Sequence, residues 1–228
     1  MNYAELVVAV TDYCENTFPT TDMDTFIRQA EQRIYNTAQP ANLRKNVTGS
    51  LTVGNKYLAA PNDFLSTYSL AIYPVATTTA TGTSGEFSLT VTSSSGIAVG
   101  QSVSGTNIAS DAIVRSISGN TVILTSANTG TVNGTVTFTG DYLYLLNKDV
   151  NWIREAYPNT AGRAEPQYYA LFGPQSNDVN ELSFIVGPTP DDDYEVELHY
   201  YFYPESIVTA GTSWLGDNYD TALLNGSL

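Results

Sequence analysis

Cationic side chains are scarce in this chain of 228 residues: nine Lys and Arg stand against 23 Asp and Glu, and none follows Arg163. Neutralising nucleic-acid phosphates takes Lys and Arg, so a free-standing nucleic-acid binder is excluded. Cysteine is down to one, Cys14, which rules out an internal disulfide framework and gives no sign of an oxidising compartment. One histidine, His199, and one cysteine cannot build a closed zinc site or a histidine-based triad. No apolar run approaches the ~18 residues of a membrane span. The opening MNYAELVVAV has no basic n-region and carries Glu5 where a signal peptide would stay apolar. What is present, 42% hydrophobic and 11% aromatic residues, is ample for a buried core. The expectation is an acidic globular protein made in a cytoplasm.

Charge is spread unevenly. Residues 1–75 carry seven acids and five bases, residues 76–140 two acids and one base, and residues 141–163 three of each. The remaining stretch has 11 acids and no base. That anionic surface suits repelling DNA or docking on a basic partner, or serves solubility alone.

Aromatics divide the chain more sharply. All 16 tyrosines and both tryptophans lie outside residues 76–140, a window of Ser, Thr, Gly and small aliphatics. Within it Phe87, Leu89 and Val91, and again Val136 and Phe138, alternate with Ser or Thr as strand residues do. Gly119-Asn120 between IVRSIS and TVILT has the pattern of a two-residue hairpin turn. The window reads as a small β-sandwich or barrel inserted into a host domain made of residues 1–75 and 141–228. Its start is expected near Thr77, after a strand ending at Pro74. A low-complexity linker is the alternative, which runs such as VILT disfavour.

In the host domain, Tyr3, Leu6, Val7, Val10 and Cys14 share one helical face, with Asn2 and Glu5 as a capping pair. A second helix is expected from Asp22 to Ala38, turning Met23, Phe26, Ile27, Ala30 and Ile34 inward and closed by Pro40. Cys14 is therefore expected in the core. NVTGSLTV, KYLAAP and FLSTYSLAIYP read as a β-meander with Gly54-Asn55 as a turn. A strand at YLYLL and a short helix capped by Asp149 and stopped by Pro158 follow. QYYALFG and ELSFIVGPTP form a hairpin around 174–178. DYEVELHYYFYP alternates, with Tyr194, Val196, Leu198, Tyr200 and Phe202 on one face and Glu195, Glu197, His199, Tyr201 and Tyr203 on the other. A last helix is expected near Asp217. The fold class is α+β: an N-terminal helical hairpin packed with an antiparallel sheet, plus the inserted all-β domain.

No catalytic constellation emerges. Asp191-Asp192-Asp193 has carboxylates for a cation, but three adjacent ones point in different directions and read better as a solvated turn. No phosphate-binding glycine loop or nucleophile elbow occurs in context. No enzyme activity, cofactor or metal is expected.

Three stretches carry a resemblance: YAELVVAVTDYCENT with DMDTFIRQAEQRIYN, then KYLAAPNDFLSTYSLAIYP, then LLNKDVNWIREAYPNTAGRAEPQYYALFG continued by PTPDDDYEVELHYYFYPESI and TSWLGDNYDTALLNGSL. In this order they resemble the head-to-tail adaptor (connector) proteins of tailed bacteriophages, over most of 1–75 and 141–228. The window 76–140 departs from that pattern and is similar to β-modules that decorate virion proteins. Adaptors of this type often continue past the equivalent of LLNGSL, so portal-contact residues are not carried over.

The resemblance implies a structural virion protein at the neck, assembled in the host cytoplasm. It implies a homo-oligomeric ring, usually twelve-fold, beneath the portal protein and above tail, nozzle or fibre proteins. Genomic DNA would pass through without specific binding, and no membrane is involved. Tyr168, Tyr169, Tyr200, Tyr201, Tyr203 and Trp214, with Arg28 and Arg33, suit side-to-side contacts, although sheet packing accounts for such tyrosines equally. Asp191, Asp192, Asp193, Glu195 and Glu197 are the candidates for facing the DNA channel. A carbohydrate-binding or adhesin-like module, or another neck or tail protein, are the rival readings.

Overall fold

A computed structural model describes residues 1–174 and 181–228. The chain forms two units: Met1–Lys45, Asp63–Tyr68 and His199–Leu228 make the first, and Asn46–Asn62 with Ser69–Leu198 the second. The class is α+β.

The first unit is mainly helical. α1 (Tyr3–Cys14) opens on a capping box: Glu5 N donates to Asn2 Oδ1 (3.0 Å) and Asn2 N to Glu5 Oε2 (2.9 Å). α2 (Thr20–Ala38) buries Met23, Ile27, Ala30 and Tyr35, a stripe at helical spacing. Phe26 lies on the flank of that stripe and is exposed, meeting Phe18 edge-on at 5.7 Å. Cys14 is also exposed, against expectation. It sits in the last turn of α1, past Val10, where the helix faces an open groove. Both helices bury their apolar faces in one cluster with Leu43, Ile207, Leu215 and Leu223.

The single late helix expected near Asp217 is three short ones: α4 (Ile207–Ala210), α5 (Trp214–Asn218) and α6 (Asp220–Ser227). Gly211, at φ 77°, ends the first, and Ser213 caps the second. α6 approaches α2 closely at Gly226, where a Cβ would come within 3.3 Å of the Ala30 Cβ. The N-terminus is stitched to this segment through Met1 N to Gly216 O (2.7 Å) and Tyr3 N to Gly211 O (2.9 Å). Glu31 is the buried polar anchor, 3% exposed. Its carboxylate accepts from Ser206 Oγ (2.5 Å) and Ile207 N (2.9 Å), so it holds the start of α4 on α2.

The strands are β1 (Arg44–Leu51), β2 (Tyr57–Ala59), β3 (Phe64–Gly82), β4 (Ser88–Val91), β5 (Ser102–Gly105), β6 (Val114–Ser118), β7 (Thr121–Leu124), β8 (Val132–Thr139), β9 (Leu143–Tyr144), β10 (Leu146–Asn147), β11 (Tyr168–Gly173), β12 (Ser183–Gly187) and β13 (Tyr194–Phe202). The expected meander of the first three does not form. β1 neighbours β13, which neighbours β3, whereas β2 joins a second sheet ordered β10-β11-β12-β2. YLYLL likewise splits: β9 pairs with β3 and β10 pairs in parallel with β11. Antiparallel pairing of β11 with β12 bears out that hairpin, although its turn falls partly at 175–180, outside the described residues. α3 (Val150–Ala156), capped by Asp149, packs Ile153 on Ala170 and Ile185. Gly187 permits this contact, since a Cβ there would lie 2.7 Å from Tyr157 Cδ2.

β3 runs without a break through Pro74 and Thr77, so the strand does not end where the proline suggested. Pro74 is tolerated because its carbonyl still accepts from Gly140 N (2.9 Å), and a Cβ at 140 would collide with its ring. The far half of β3 pairs with β8 from Val75↔Thr139 to Gly82↔Val132 and with β4 at Ala80↔Val91. β4 pairs with β7, β7 with β6, and β8 with β5. The curled sheet meets itself through Val103 N to Ala112 O and Val114 N to Gln101 O, both 2.9 Å. The β6–β7 turn is Gly119-Asn120, with Gly119 at φ 57°. A separate cluster drawn wholly from residues 76–138, including Leu89, Val91, Val122, Leu124, Val136 and Phe138, fills the curl. Phe87 is exposed; it lies one residue before β4.

Replacing Glu31 by Leu leaves the buried Ile207 amide and the half-buried Ser206 hydroxyl without this acceptor. We expect a loss of about 2–4 kcal/mol from the two orphaned donors, measured by urea unfolding. Glu31→Gln, which keeps one acceptor oxygen, should cost less.

Candidate interaction surfaces

Two neighbouring cations open β1, and strand alternation sends them to opposite faces. Lys45 pairs with Asp63 Oδ2 at 2.6 Å and lies 4.0 Å over the Phe202 ring. Arg44 lies with its guanidinium carbon 4.0 Å from the Tyr68 ring centre and 5.2 Å from that of Tyr201. Its Nε donates to the Tyr201 hydroxyl at 3.1 Å. His199 meets the Tyr68 ring edge-on at 5.0 Å, and Tyr68 is 53% exposed. This clamp of Arg44, Tyr68, Tyr201 and His199 is the most organised surface cluster of the first unit. Of these, Tyr201 belongs to the set expected from sequence to make side-to-side contacts, whereas Arg44, Tyr68 and His199 do not. Their spacing in the chain carries no signal; only strand pairing brings them together.

Beneath the clamp, Asp63 also accepts from the Tyr200 hydroxyl (2.8 Å), and Tyr200 stacks on Phe64. Burial, then the hydrogen bond to Asp63, pushes the Tyr200 phenol up to about 12. Burial alone would raise the Asp63 carboxyl, but hydrogen bonds from Lys45 and Tyr200 and the Lys45 charge outweigh it. The result lies below the ordinary 3.8.

The other named aromatics fall apart in space and role. In the second unit, Tyr168 is half-buried, edge-on to Trp152 at 4.9 Å, with Lys148 near both rings. Tyr169 turns inward, 7% exposed, onto Phe184 at 5.9 Å, and so presents almost no surface. In the first unit, Tyr203 bonds Asn36 through its hydroxyl and shares a groove of about 230 Å³ with Arg28. Arg33 lines a different groove of about 380 Å³ with Phe18, Phe26 and the Gly226–Leu228 end. Trp214 packs on Tyr219 at 5.2 Å along an apolar groove of about 280 Å³ that also includes Ile34 and Ala222.

The acidic candidates form a structured turn leading into β13. Asp191 Oδ1 accepts from the Tyr194 hydroxyl (2.8 Å), and burial followed by this bond raises the Tyr194 phenol well above its usual range. Asp193 Oδ1 accepts from Val53 N (2.8 Å), while among the described residues Asp192 Oδ1 accepts from its neighbour, Asp193 N (2.9 Å). All three are exposed. Glu195 and Glu197 are half-buried on the outward face of β13, and the carboxylate of Glu197 is the main influence raising the Tyr142 phenol. Among the described residues no group of three or more His, Cys, Asp or Glu is placed to hold a metal ion. No described helix is long and apolar enough to cross a membrane.

A family model described as SU10 adaptor protein matches residues 1–228, the full length of this sequence. No curated protein sequence matches the chain.

The lowered Asp63 carboxyl gives a sign for acid stability. A group whose folded value is depressed contributes stability above its unfolded value and loses it as pH falls through the folded one. Melting temperature should therefore fall below about pH 4, in part through Asp63. In Asp63→Asn that part of the acid limb should disappear, so wild type and variant should converge at low pH in thermal melts.

Proposed function

Because the chain belongs to the SU10 adaptor protein family, a phage adaptor-type family of structural virion proteins, we propose that it is a head-to-tail adaptor. In this reading copies of the chain form a closed ring between portal and tail, twelve-fold as the resemblance implies, and leave an axial channel for the genome. The observation that carries the proposal is the family match over residues 1–228. Closed rings need heterologous contacts, in which one patch of a copy meets a different patch of the next. The clamp on Arg44, the three grooves of the first unit and the acidic turn are distinct patches of that kind. Function then rests on surface fit, and no bond is made or broken.

In the same reading Asp191, Asp192, Asp193, Glu195 and Glu197 belong to an anionic surface that repels phosphate, so passing DNA is not held. Residues 76–140 are an appended module with a core of their own, presenting an uncharged hydroxyl face. Its facing threonines include Thr77↔Thr137 and Thr79↔Thr135. Contacts to fibre or tail proteins are its proposed role.

Imaging whole virions tests the assignment. Density for the chain as a ring at the vertex through which DNA leaves is expected; density elsewhere on the particle, or a single copy, overturns it.

Excision tests the module. Val75 and Thr139 are cross-strand partners and Gly140 follows, so removing residues 76–139 joins ends that already lie side by side. The shortened chain should still unfold cooperatively by circular dichroism and still enter particles. A remainder that fails to fold would count against an appended module.

A further inference from the structure

The guanidinium of Arg44 is oriented but not neutralised. Of its five N–H donors, only the Nε–H is taken within the described residues, by the Tyr201 hydroxyl. The one ion pair among those residues belongs to its neighbour, Lys45 with Asp63. The carboxylate beside the clamp in the same unit is already used: Asp63 receives Lys45 and Tyr200. Two rings at 4.0 and 5.2 Å fix the plane of the cation and shed part of its water. A fixed planar fork with both terminal NH₂ groups free matches one ligand class best, a planar oxyanion taken by two parallel hydrogen bonds. Holding that fork in advance removes the rotamer entropy that usually cancels the gain of a surface ion pair.

Within the chain's own surface, the Asp191–Asp193 turn offers the matching group. Its backbone and side-chain bonds make it rigid, and it projects three exposed carboxylates. Each of the three accepts one hydrogen bond among the described residues: Asp191 is tied to the Tyr194 side chain and Asp193 to Val53, whereas Asp192 is tied to no segment beyond the amide of its neighbour, Asp193. The turn precedes β13 and the clamp lies on that strand's last residues, so they are two different patches of one sequence. A contact between them in successive copies is heterologous, as a ring requires. A nucleic-acid phosphate has similar oxygen geometry, but duplex DNA carries a far denser negative charge than a second copy of this chain, so the net charge of −14 opposes it more strongly.

We propose that Arg44, held between Tyr68 and Tyr201, is the socket for the Asp192 carboxylate of a second copy of this chain. The assignment rests on the ring reading above and names one junction of that ring.

Sedimentation velocity of the full chain, over a range of concentration and salt, tests it. Wild type should associate, and more weakly as salt rises. Arg44→Gln and Asp192→Asn should each weaken association by about tenfold or more, with unchanged far-ultraviolet circular dichroism. Arg44→Glu and Asp192→Arg should each be monomeric alone and associate when mixed, because every junction in the mixture again pairs opposite charges. Should Arg44→Gln not fold, Asp192→Asn and the Asp192→Arg mixture still decide the matter from the other side. A wild type that stays monomeric throughout, association untouched by these variants, or a mixture that stays monomeric overturns the socket. So does a short DNA duplex that binds wild type but not Arg44→Gln while self-association is unaffected, since that would make phosphate the ligand. Virions that carry a normal ring of Arg44→Gln chains would remove the socket and leave the ring; virions with one copy of the chain would remove the ring itself.

Discussion

Strict alternation along β13 is the constraint on which both the interior and the interacting surface depend. Tyr194, Val196, Leu198 and Tyr200 are buried, while Glu195, Glu197, His199 and Tyr201 stand half-exposed between them. With a side-chain period of two, a slip of one residue would carry the whole buried set to solvent and the glutamates into the core. Burial of one face thus fixes the other. The Arg44 clamp takes its position from that register. A strand neighboured on both sides, by β1 and β3, is also poorly placed to slide.

Much of this was legible in the residues because local physics decided it. The Asn2–Glu5 capping box, the Asp149 cap, the Gly119-Asn120 turn and the alternation of β13 each depend on a few neighbouring side chains, and each forms as expected. The misreadings have a common cause in tertiary context. Runs of strand residues in order suggested a meander, but which strand pairs with which is settled by burial far away in sequence: β2 pairs with β12, over 120 residues on. Pro74 looked like a strand end because proline lacks a donor, yet only the carbonyl side of that residue was needed for pairing. Cys14 kept helical phase with Leu6 and Val10, but phase says nothing about where the opposing layer stops.

Surface chemistry was less legible than the interior, and for the same reason. Composition picked out tyrosines and arginines as interface-prone types, but burial then separated them. Tyr169 is spent on Phe184, Tyr168 is half spent beside Trp152, and Tyr203 is shared between Asn36 and a groove. Arg44 has no distinguishing neighbour in sequence. Its role as a fixed cation depends on rings 24 and 157 positions away, which no window along the chain contains. The cluster within residues 76–138 is the opposite case. It uses mainly Val, Leu, Ile and Ala around one buried aromatic, Phe138, and the lack of tyrosine and tryptophan in that stretch marks it in composition alone.

The contrast between Arg44 and Lys45 shows how little separates a structural charge from an available one. They are adjacent, equally charged and on the same strand. Lys45 points to the face where Phe202 and Asp63 lie, and a compact ammonium there satisfies a half-buried carboxylate that Tyr200 also needs. Arg44 points to the other face, where the partners are rings, and rings stabilise a cation without cancelling its charge. Exchanging the two types would leave the net charge unchanged and undo both arrangements. A lysine at 44 has no planar fork to stack or to grip a carboxylate with two bonds, and an arginine at 45 must fit a larger group against Asp63 and Phe202. Selectivity at this surface therefore lies in which face each cation reaches, and the pleat of a strand that is buried on one side determines that.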